Sequence, residues 1–272
     1  MKILAFGGGL GNQIFGYAFY KYVQTKYPHE KIYGVYSRAR LHEHHGLEID
    51  KWFDVQMPES RWYITLFTYF MYVLKKVFGY EALLDLDMHE IRKENAVIYW
   101  AFHQSKNYIP TSDWLHFNID ESKISAENKT VLNEIRYSNS VFVHVRRGDY
   151  FSPAYKKLFE GCCSIDYYIN SIQYIKEQIS NPEFFVFSDD IQWAKENLPL
   201  EKSTFVDWNK GENSPYDMFL MSNCKMAIMA NSTFSFWGAK LGVPKTIVTY
   251  PKKWSNPPFV AGDLFYKEWI GF

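Results

Sequence analysis

Short apolar runs alternate with stretches of helical periodicity through the second half of the chain. The runs lie at residues 141–145, 184–187, 226–229 and 246–249, and the helical stretches lie at 165–180, 191–197, 215–222 and 233–241. Short buried strands that alternate with helices build a parallel sheet with helices on both faces. The pattern therefore predicts an α/β fold for this half.

The first half opens with the same pattern. We predict a strand at residues 3–6, a helix over roughly 13–27 and a second strand near 32–36. A glycine-rich turn separates the first strand from the helix. The pattern of this half is harder to interpret beyond that strand.

A polar stretch near the middle of the chain marks the expected domain junction. Residues 120–139 contain a predicted helix that ends near Arg136, and a strand begins directly afterwards. We therefore expect two domains, residues 1–138 and 139–272. We also allow for a last helix of the second domain that packs back on the first domain.

The charge balance limits the kinds of partner. The 272 residues contain 30 Lys and Arg and 30 Asp and Glu, so the formal net charge is zero. Binding of nucleic acid through general electrostatics needs many clustered basic residues, so nucleic acid is not expected as a partner. An anionic ligand would have to be held by a few well-placed groups.

The cysteines and the amino terminus indicate the cellular compartment in which the protein is expected. Cys162, Cys163 and Cys224 form neither a disulfide framework nor a zinc spacing, and we expect reduced, structural thiols. The chain runs from Met1 straight into a strand without the basic leader and apolar core of a signal peptide. We therefore expect a cytoplasmic protein.

Aromatic residues make up 19% of the chain, and eight of them crowd into residues 60–80. The uncharged run at 62–74 has 13 residues, whereas a membrane-spanning helix needs about 20. We do not expect it to cross a membrane and favour a core helix. The alternative is an amphipathic surface helix in peripheral contact with a membrane, because interfacial helices also carry aromatics and basic flanks.

The glycine turn Gly7-Gly-Gly-Leu-Gly11-Asn12-Gln13 precedes the first predicted helix. Free amides and the positive end of the helix dipole could hold an anion or a sugar there. The spacing fits neither the dinucleotide fingerprint nor the Walker pattern. A tight turn whose glycines permit positive φ is the alternative.

His144 lies near the carboxyl end of the run at 141–145, and Arg146, Arg147, Gly148 and Asp149 follow directly after it. Ligands of open α/β sheets bind outside the carboxyl ends of the strands. Alternation places His144 and Arg146 on one face, and an arginine can bind a diphosphate through charge-assisted hydrogen bonds of ~1.5–3 kcal/mol each. We expect Arg147 to pair with Asp149 and Arg146 to be available to a ligand.

Two further segments end at the same predicted edge. Asn231, Ser232 and Thr233 fall at a helix start, where they could cap the helix or present backbone amides to a phosphate. Asp217 begins the preceding helix and could be a simple N-terminal charge or could accept the N1–H and N2–H₂ donors of guanine. Asp190 follows another strand, where helix capping is favoured over acid–base or metal chemistry because no third ligand is visible.

Four segments, in this order, resemble the α-1,2-fucosyltransferases of glycosyltransferase family 11. They are GGLGNQIFGYAF, VFVHVRRGDY, FFVFSDD and DMFLMSNCKMAIMANSTFSFWGAKL. The resemblance implies the glycosyltransferase B-type fold, in which two Rossmann-like domains with parallel sheets face each other. It also implies an N-terminal acceptor side, a C-terminal domain that binds GDP-β-L-fucose, a glycan acceptor, and no metal or other cofactor.

The resemblance also implies roles for individual residues. Arg146 would hold the β-phosphate and act catalytically, Ser232 and Thr233 would bind the diphosphate, Asp217 would read guanine, and Asn12 with Gln13 would approach the fucose. The other residues expected in the donor site are His144, Arg147, Asp190, Asn231 and Ser235. A cytoplasmic, bacterial enzyme of this kind would build lipid-linked surface glycans.

The general base and the acceptor stay open at this point. Asp149, His103 and several glutamates are candidate bases, and we prefer Asp149 although pairing with an arginine would depress its pKa. Ile14, Gly16 and residues 101–104 depart from the family pattern on the acceptor side. A transferase for another GDP-sugar, such as GDP-mannose, and a non-catalytic sugar-binding protein are the alternative functions.

Overall fold

The computed structural model describes residues 1–41, 45–87, 90–257 and 263–272, with the backbone alone for residues 38, 39 and 149. The chain forms two compact units. The first comprises Met1–Asn118 together with Asp263 and Leu264. The second comprises the other described residues from Ile119 onwards, including Phe265–Phe272.

The first unit is built on a parallel sheet with the strand order β2-β1-β4-β3. Its strands are β1 (Lys2–Ala5), β2 (Ile32–Val35), β3 (Leu84–Asp85) and β4 (Ile98–Tyr99), and its helices are α1 (Leu10–Lys26), α2 (Arg38–Leu41), α3 (Ile49–Trp52) and α4 (Trp62–Phe78). A short 3₁₀ turn follows at Lys106–Tyr108. Apolar side chains of β1, β2 and β4 form one buried cluster with residues of α4.

Helix α4 covers the sheet of the first unit with one face only. Ile64, Thr68 and Met71 are its buried residues, and the helix ends at Gly79, whose φ of 70° is the left-handed conformation that glycine favours. The expected helix is therefore present, but the expectation that it lies in the core is wrong for its outer face. Phe70 on that face is 56% exposed.

The second unit contains a larger parallel sheet with the strand order β10-β9-β8-β5-β6-β7. Its strands are β5 (Asn139–Val145), β6 (Pro182–Ser188), β7 (Ser203–Val206), β8 (Met226–Ile228), β9 (Ile247–Tyr250) and β10 (Ile270–Gly271). Its helices are α5 (Ala126–Tyr137), α6 (Lys156–Phe159), α7 (Ile165–Gln178), α8 (Ile191–Asn197), α9 (Pro215–Asn223) and α10 (Thr233–Lys240), with 3₁₀ turns at Asp149–Phe151 and Gly211–Asn213.

The central strand β5 is buried along almost its whole length. Val141, Val143 and Val145 pack on one side against a cluster that includes Tyr168 and Ile172 of α7. Such a continuous apolar strand is typical of a parallel sheet covered on both faces. The prediction of an α/β fold with two parallel sheets, the components of the glycosyltransferase B-type fold, is confirmed.

The division between the units falls earlier than the predicted junction at 138–139. Helix α5 belongs to the second unit because Val131, Leu132 and Ile135 are buried and the helix packs against α9 and β5. The last element of the described chain is the strand β10, which pairs with β9 of the second sheet.

Candidate functional site

The register between β5 and β6 places two charged loops side by side. Val145 pairs with Ser188, so the residues that follow each strand meet at the carboxyl edge. Arg146 Nη1 lies 3.1 Å from Asp189 Oδ2, and both side chains are partly buried. The sequence predicted Arg146 at this edge but not its ion pair with Asp189.

Arg147 has a different set of contacts. Its backbone N–H donates to Asp189 Oδ1 at 2.8 Å, and its Nε donates to Asp190 Oδ2 at 3.2 Å. Its guanidinium lies 4.1 Å from the ring centre of Trp193 and 4.3 Å from that of Phe151. These contacts hold Arg147 as a structural part of the loop.

Asp190 begins helix α8 as well as pairing with Arg147. Its Oδ1 accepts the backbone N–H of Trp193 at 3.1 Å, so the prediction that it caps this helix is confirmed. The predicted pairing of Arg147 with Asp149 stays a prediction, because the side chain of Asp149 lies outside the described residues.

Gly148 lies against the carboxylate that holds Arg146. A Cβ at this position would stand 3.0 Å from Asp189 Oδ2 and 3.3 Å from its Cγ. Any side chain at this position would therefore need the Asp189 carboxylate to shift by a few tenths of an ångström.

His144 lies in β5, two residues before Arg146, and is only 7% exposed. Burial, with a smaller contribution from the Arg146 charge, lowers its pKa to about 3. Its ring lies 5.9 Å from that of Phe234 at the start of α10. The side chain is therefore a neutral packing group at physiological pH.

The turn before α10 follows β8, which pairs directly with β5. Asn231 is buried there, and its Nδ2 donates to the carbonyl of Trp254 at 2.9 Å. Its own carbonyl accepts the hydroxyl of Tyr150 at 3.0 Å, and its Oδ1 accepts the Cys163 thiol at 3.2 Å. Asn231 therefore ties this turn to the loop that follows Arg146.

The three hydroxyl residues of this turn differ in their contacts. Ser232 caps α10 by accepting the N–H of Phe234 at 3.3 Å. Ser235 is fully buried and accepts the N–H of Ala230 at 3.0 Å. Thr233 begins the helix and keeps part of its surface exposed. The predicted convergence of this turn with Arg146 at one sheet edge is confirmed, while Asn231 and Ser235 are committed to the fold.

Asp217 in α9 is the end of a buried polar network. Its Oδ1 accepts Nδ2 of Asn209 at 2.8 Å, and Asn209 exchanges two hydrogen bonds of 2.9 Å with Asn128. Trp208 Nε1 donates to the same Asn128 Oδ1 at 2.8 Å. Burial raises the pKa of Asp217 to about 7, against the opposing effect of the Asn209 bond.

A cleft of about 290 Å³ lies beside this network. It is lined by Ser125, Glu127, Asn128, Trp208, Asn209, Asn213 and Tyr216. This cleft was not predicted from the sequence, because Asn128 and Asn209 lie far apart in the chain. The sequence feature that could have indicated it is the adjacent Trp208-Asn209 pair in a polar loop before the helix of Asp217.

Gln13 in α1 is fully buried and fully hydrogen-bonded. Its Nε2 donates to the carbonyls of Gly8 at 3.0 Å and Gly46 at 2.8 Å. Its Oε1 accepts the backbone N–H groups of Glu48 at 2.8 Å and Ile49 at 3.2 Å. The expectation that Gln13 approaches the donor sugar is therefore wrong, because every polar atom of the amide joins α1 to the segment before α3.

The glycine turn before α1 packs closely against its surroundings. Gly8 has a φ of 70°, which confirms the interpretation as a tight turn. A Cβ on Gly7 would lie 2.7 Å from Nε of Arg40, whose guanidinium stands 4.6 Å from the ring centre of Trp100. Asn12 is half-buried, and its Oδ1 accepts Nε2 of Gln104 at 2.8 Å.

His103 is buried in the first unit and stacks on Phe19 with ring centres 3.7 Å apart. Burial, reinforced by the charge of Arg40, lowers its pKa to about 3. A histidine in this state is a weak base with no access to solvent. The structure therefore argues against His103 as the general base.

Residues 7–272, nearly the whole chain, match the sequence model of glycosyl transferase family 11. The chain belongs to this family. The alpha-1,2-colitosyltransferase of Escherichia coli is 34% identical over 248 residues, which cover 86% of this chain and 85% of that protein. The galactoside alpha-(1,2)-fucosyltransferase 1 of Leontocebus fuscicollis is 29% identical over 186 residues, 63% of this chain and 50% of that protein.

A solved glycosyl transferase family 9 structure from Veillonella parvula DSM 2008 covers 99% of this chain and 86% of its own, with a TM-score of 0.49 and 11% identity. This family 11 member is a glycosyltransferase, so it uses a nucleotide-sugar donor and a glycan acceptor.

In the part of the chain that the structure describes, no three His, Cys, Asp or Glu residues are grouped as metal ligands. Nor does any helix there have the length and apolarity needed to cross a bilayer.

Replacement of Gln13 by leucine tests its structural role. We expect Gln13→Leu to lower the free energy of unfolding by about 3–5 kcal/mol, since four hydrogen bonds are lost and buried backbone groups stay unsatisfied. Urea denaturation followed by circular dichroism measures this. Gln24→Leu, on the exposed face of the same helix, is the control and should change stability by about 0.5 kcal/mol or less. Equal effects of the two replacements would contradict the assignment.

Proposed function

We propose that this family 11 enzyme transfers L-fucose from GDP-β-L-fucose to a glycan hydroxyl, O2 of a galactoside, with inversion at the anomeric carbon. One observation carries the proposal. Arg146 and the amino terminus of α10 follow adjacent strands of one parallel sheet and meet through the Tyr150–Asn231 bond. A cation and helix amides at one edge suit a diphosphate.

In the proposed reaction, the acceptor oxygen forms a bond to C1 of fucose as the bond from C1 to the β-phosphate oxygen breaks. Negative charge grows on the departing diphosphate. Arg146 stabilises that charge, together with the backbone amide of Thr233 and the hydroxyl of Ser232, whose own N–H is held by the carbonyl of Ala230 at 2.8 Å. A guanidinium carries five N–H donors, so the ion pair with Asp189 is compatible with binding a phosphate and fixes the orientation of the side chain.

The buried network around Asp217 supports guanine as the base. A carboxylate has two acceptor oxygens for the N1–H and N2–H₂ groups of guanine, which adenine lacks as a pair. The bond from Asn209 fixes one oxygen of that carboxylate. Trp208 and Tyr216 line the neighbouring cleft and offer aromatic faces to a purine.

The general base and the cofactor requirement are part of the same proposal. With His103 buried, Asp149 is the residue that we assign as the base that accepts the proton of the acceptor hydroxyl. We propose that no metal takes part, since the arginine and helix amides supply the positive charge that the diphosphate needs.

A second donor is favoured by the similarity to the colitosyltransferase, which extends over 86% of this chain. Colitose is L-fucose without its 3-hydroxyl group. An enzyme that hydrogen-bonds this hydroxyl would reject the colitose donor strongly, whereas one that leaves the position apolar would accept both. Donor choice is therefore decided at the sugar and not at the nucleotide.

Arg146→Ala tests the stabilisation of the leaving group. We expect kcat/KM with GDP-fucose to fall by about 10²–10³, which corresponds to the ~2.7–4 kcal/mol typical of one preorganised donor. Arg136→Ala is the matched control, because Arg136 is an exposed arginine of the same unit that pairs with Glu121. EDTA should leave the wild-type rate unchanged. A strict requirement for Mg²⁺ would contradict the metal-free mechanism.

Donor affinity should depend on pH through Asp217. Its pKa of about 7 leaves the carboxylate protonated below that pH, when it loses one of its two acceptors. The dissociation constant of GDP-fucose should therefore rise about tenfold between pH 8 and pH 6. Calorimetry measures this, and Asp217→Asn should bind weakly with little pH dependence. An affinity of wild-type enzyme that is flat over this range would contradict the role of Asp217.

Hydrolysis of nucleotide sugars without acceptor identifies the donor. We expect GDP-fucose to be hydrolysed with a kcat/KM at least ~10²-fold above that of GDP-mannose, because the enzyme must fit the 6-deoxy-L-sugar. GDP-colitose is the comparison for the 3-hydroxyl. A higher kcat/KM for GDP-colitose would move the assignment to that donor, and no turnover of any GDP-sugar would favour the sugar-binding alternative.

A further inference from the structure

Helix α4 carries an exposed apolar stripe. Trp62, Leu66, Phe70, Val73 and Val77 recur at intervals of three or four residues, so they share one face of the helix. Each of these side chains is more than half exposed. Single exposed apolar residues are ordinary, but a continuous stripe of this kind marks an interaction surface.

The stripe lies opposite the face that covers the sheet. Successive residues turn by about 100° around a helix axis, which places Ile64, Thr68 and Met71 on the far side from Leu66 and Val73. The inner face is buried in the first unit. The helix therefore has two apolar faces, and the packing of its own unit explains only one of them.

The charged side chains of α4 itself are all positive. They are Lys75 and Lys76, and the helix contains no acidic residue. Lys76 flanks the stripe, whereas Lys75 lies on the side of Thr68 and Met71 and pairs with Glu81 at 3.7 Å, and Arg61 before the helix pairs with Glu59. A helix with cations and no acidic side chain stands out in a chain of zero net charge.

The two ends of the helix carry rings with an apolar body and a polar group. Trp62 and Tyr63 stand at its start, and Tyr80 follows its end, each 44–78% exposed. Trp and Tyr with this exposure are characteristic of the boundary between water and lipid. A helix of 17 residues with such ends can lie in that boundary without spanning the bilayer.

We propose that α4 docks the protein on the surface of a bilayer that contains anionic lipids, with the stripe buried at the level of the headgroups. Anionic headgroups complement Lys76, which flanks the stripe. Two copies of this chain that paired through the stripe would instead bring together helices that carry only cations. The surface lies in the first unit, and its assignment does not depend on which sugar is transferred.

Flotation with lipid vesicles tests the proposal. Wild-type protein should float with vesicles of phosphatidylcholine and phosphatidylglycerol, bind much less to phosphatidylcholine alone, and dissociate at high salt. The double variant Leu66→Glu/Phe70→Glu should reduce the bound fraction at least ~tenfold with an unchanged circular dichroism spectrum. Tyr137→Glu, which changes an 89% exposed aromatic of α5, is the matched control and should bind like wild type.

A second double variant tests the same surface in case the glutamate variant does not fold. Val73→Ser/Val77→Ser alters the same stripe without added charge and should also weaken binding. Three results would overturn the proposal: no vesicle binding by wild type, equal binding by folded stripe variants, or a lipid-independent dimer that these variants dissociate. Light scattering at several protein concentrations detects the dimer.

Discussion

The parallel pairing of β5 with β6 and β8 fixes the positions of Arg146, Asp189 and the turn before α10 at the carboxyl edge of the second sheet. Val145 pairs with Ser188 and Val143 with Ile228, so three loops leave the sheet on the same side. A shift of one residue would turn the buried valines of β5 to the opposite face. Burial therefore sets the register, and the register brings Arg146 to Asp189 and the α10 turn to the next loop.

Charge at this edge is balanced locally. Arg146 lies beside Asp189, and Arg147 beside Asp190. A chain with zero net charge can therefore hold an anion at one place without a general positive field. The network of Asp217, Asn209 and Asn128 contains no cation and is held by hydrogen bonds among the three side chains.

The sequence predicted what depends on local pattern. Strands such as β5 and helices such as α8 were found because apolar runs and caps are local, and the meeting of two loops followed from the rule for parallel sheets. The structural role of Gln13 could not be predicted, since three of its four hydrogen-bond partners lie 33–36 residues away. The short strands β3 and β10, of two residues each, give no periodic signal. The exposure of α4 could not be predicted either, because it depends on which face of the helix the sheet covers.

Calorimetric titration with GDP and ADP tests most directly whether the edge of the second sheet is a guanine-nucleotide site. Wild-type protein should bind GDP at least ~tenfold more tightly than ADP, since a site built for two hydrogen-bond donors penalises their loss. Asp217→Asn should remove that preference, whereas Arg146→Ala should weaken both nucleotides alike. Equal affinities for GDP and ADP in the wild type, or no binding of either, would show that this edge is not a guanine-nucleotide site.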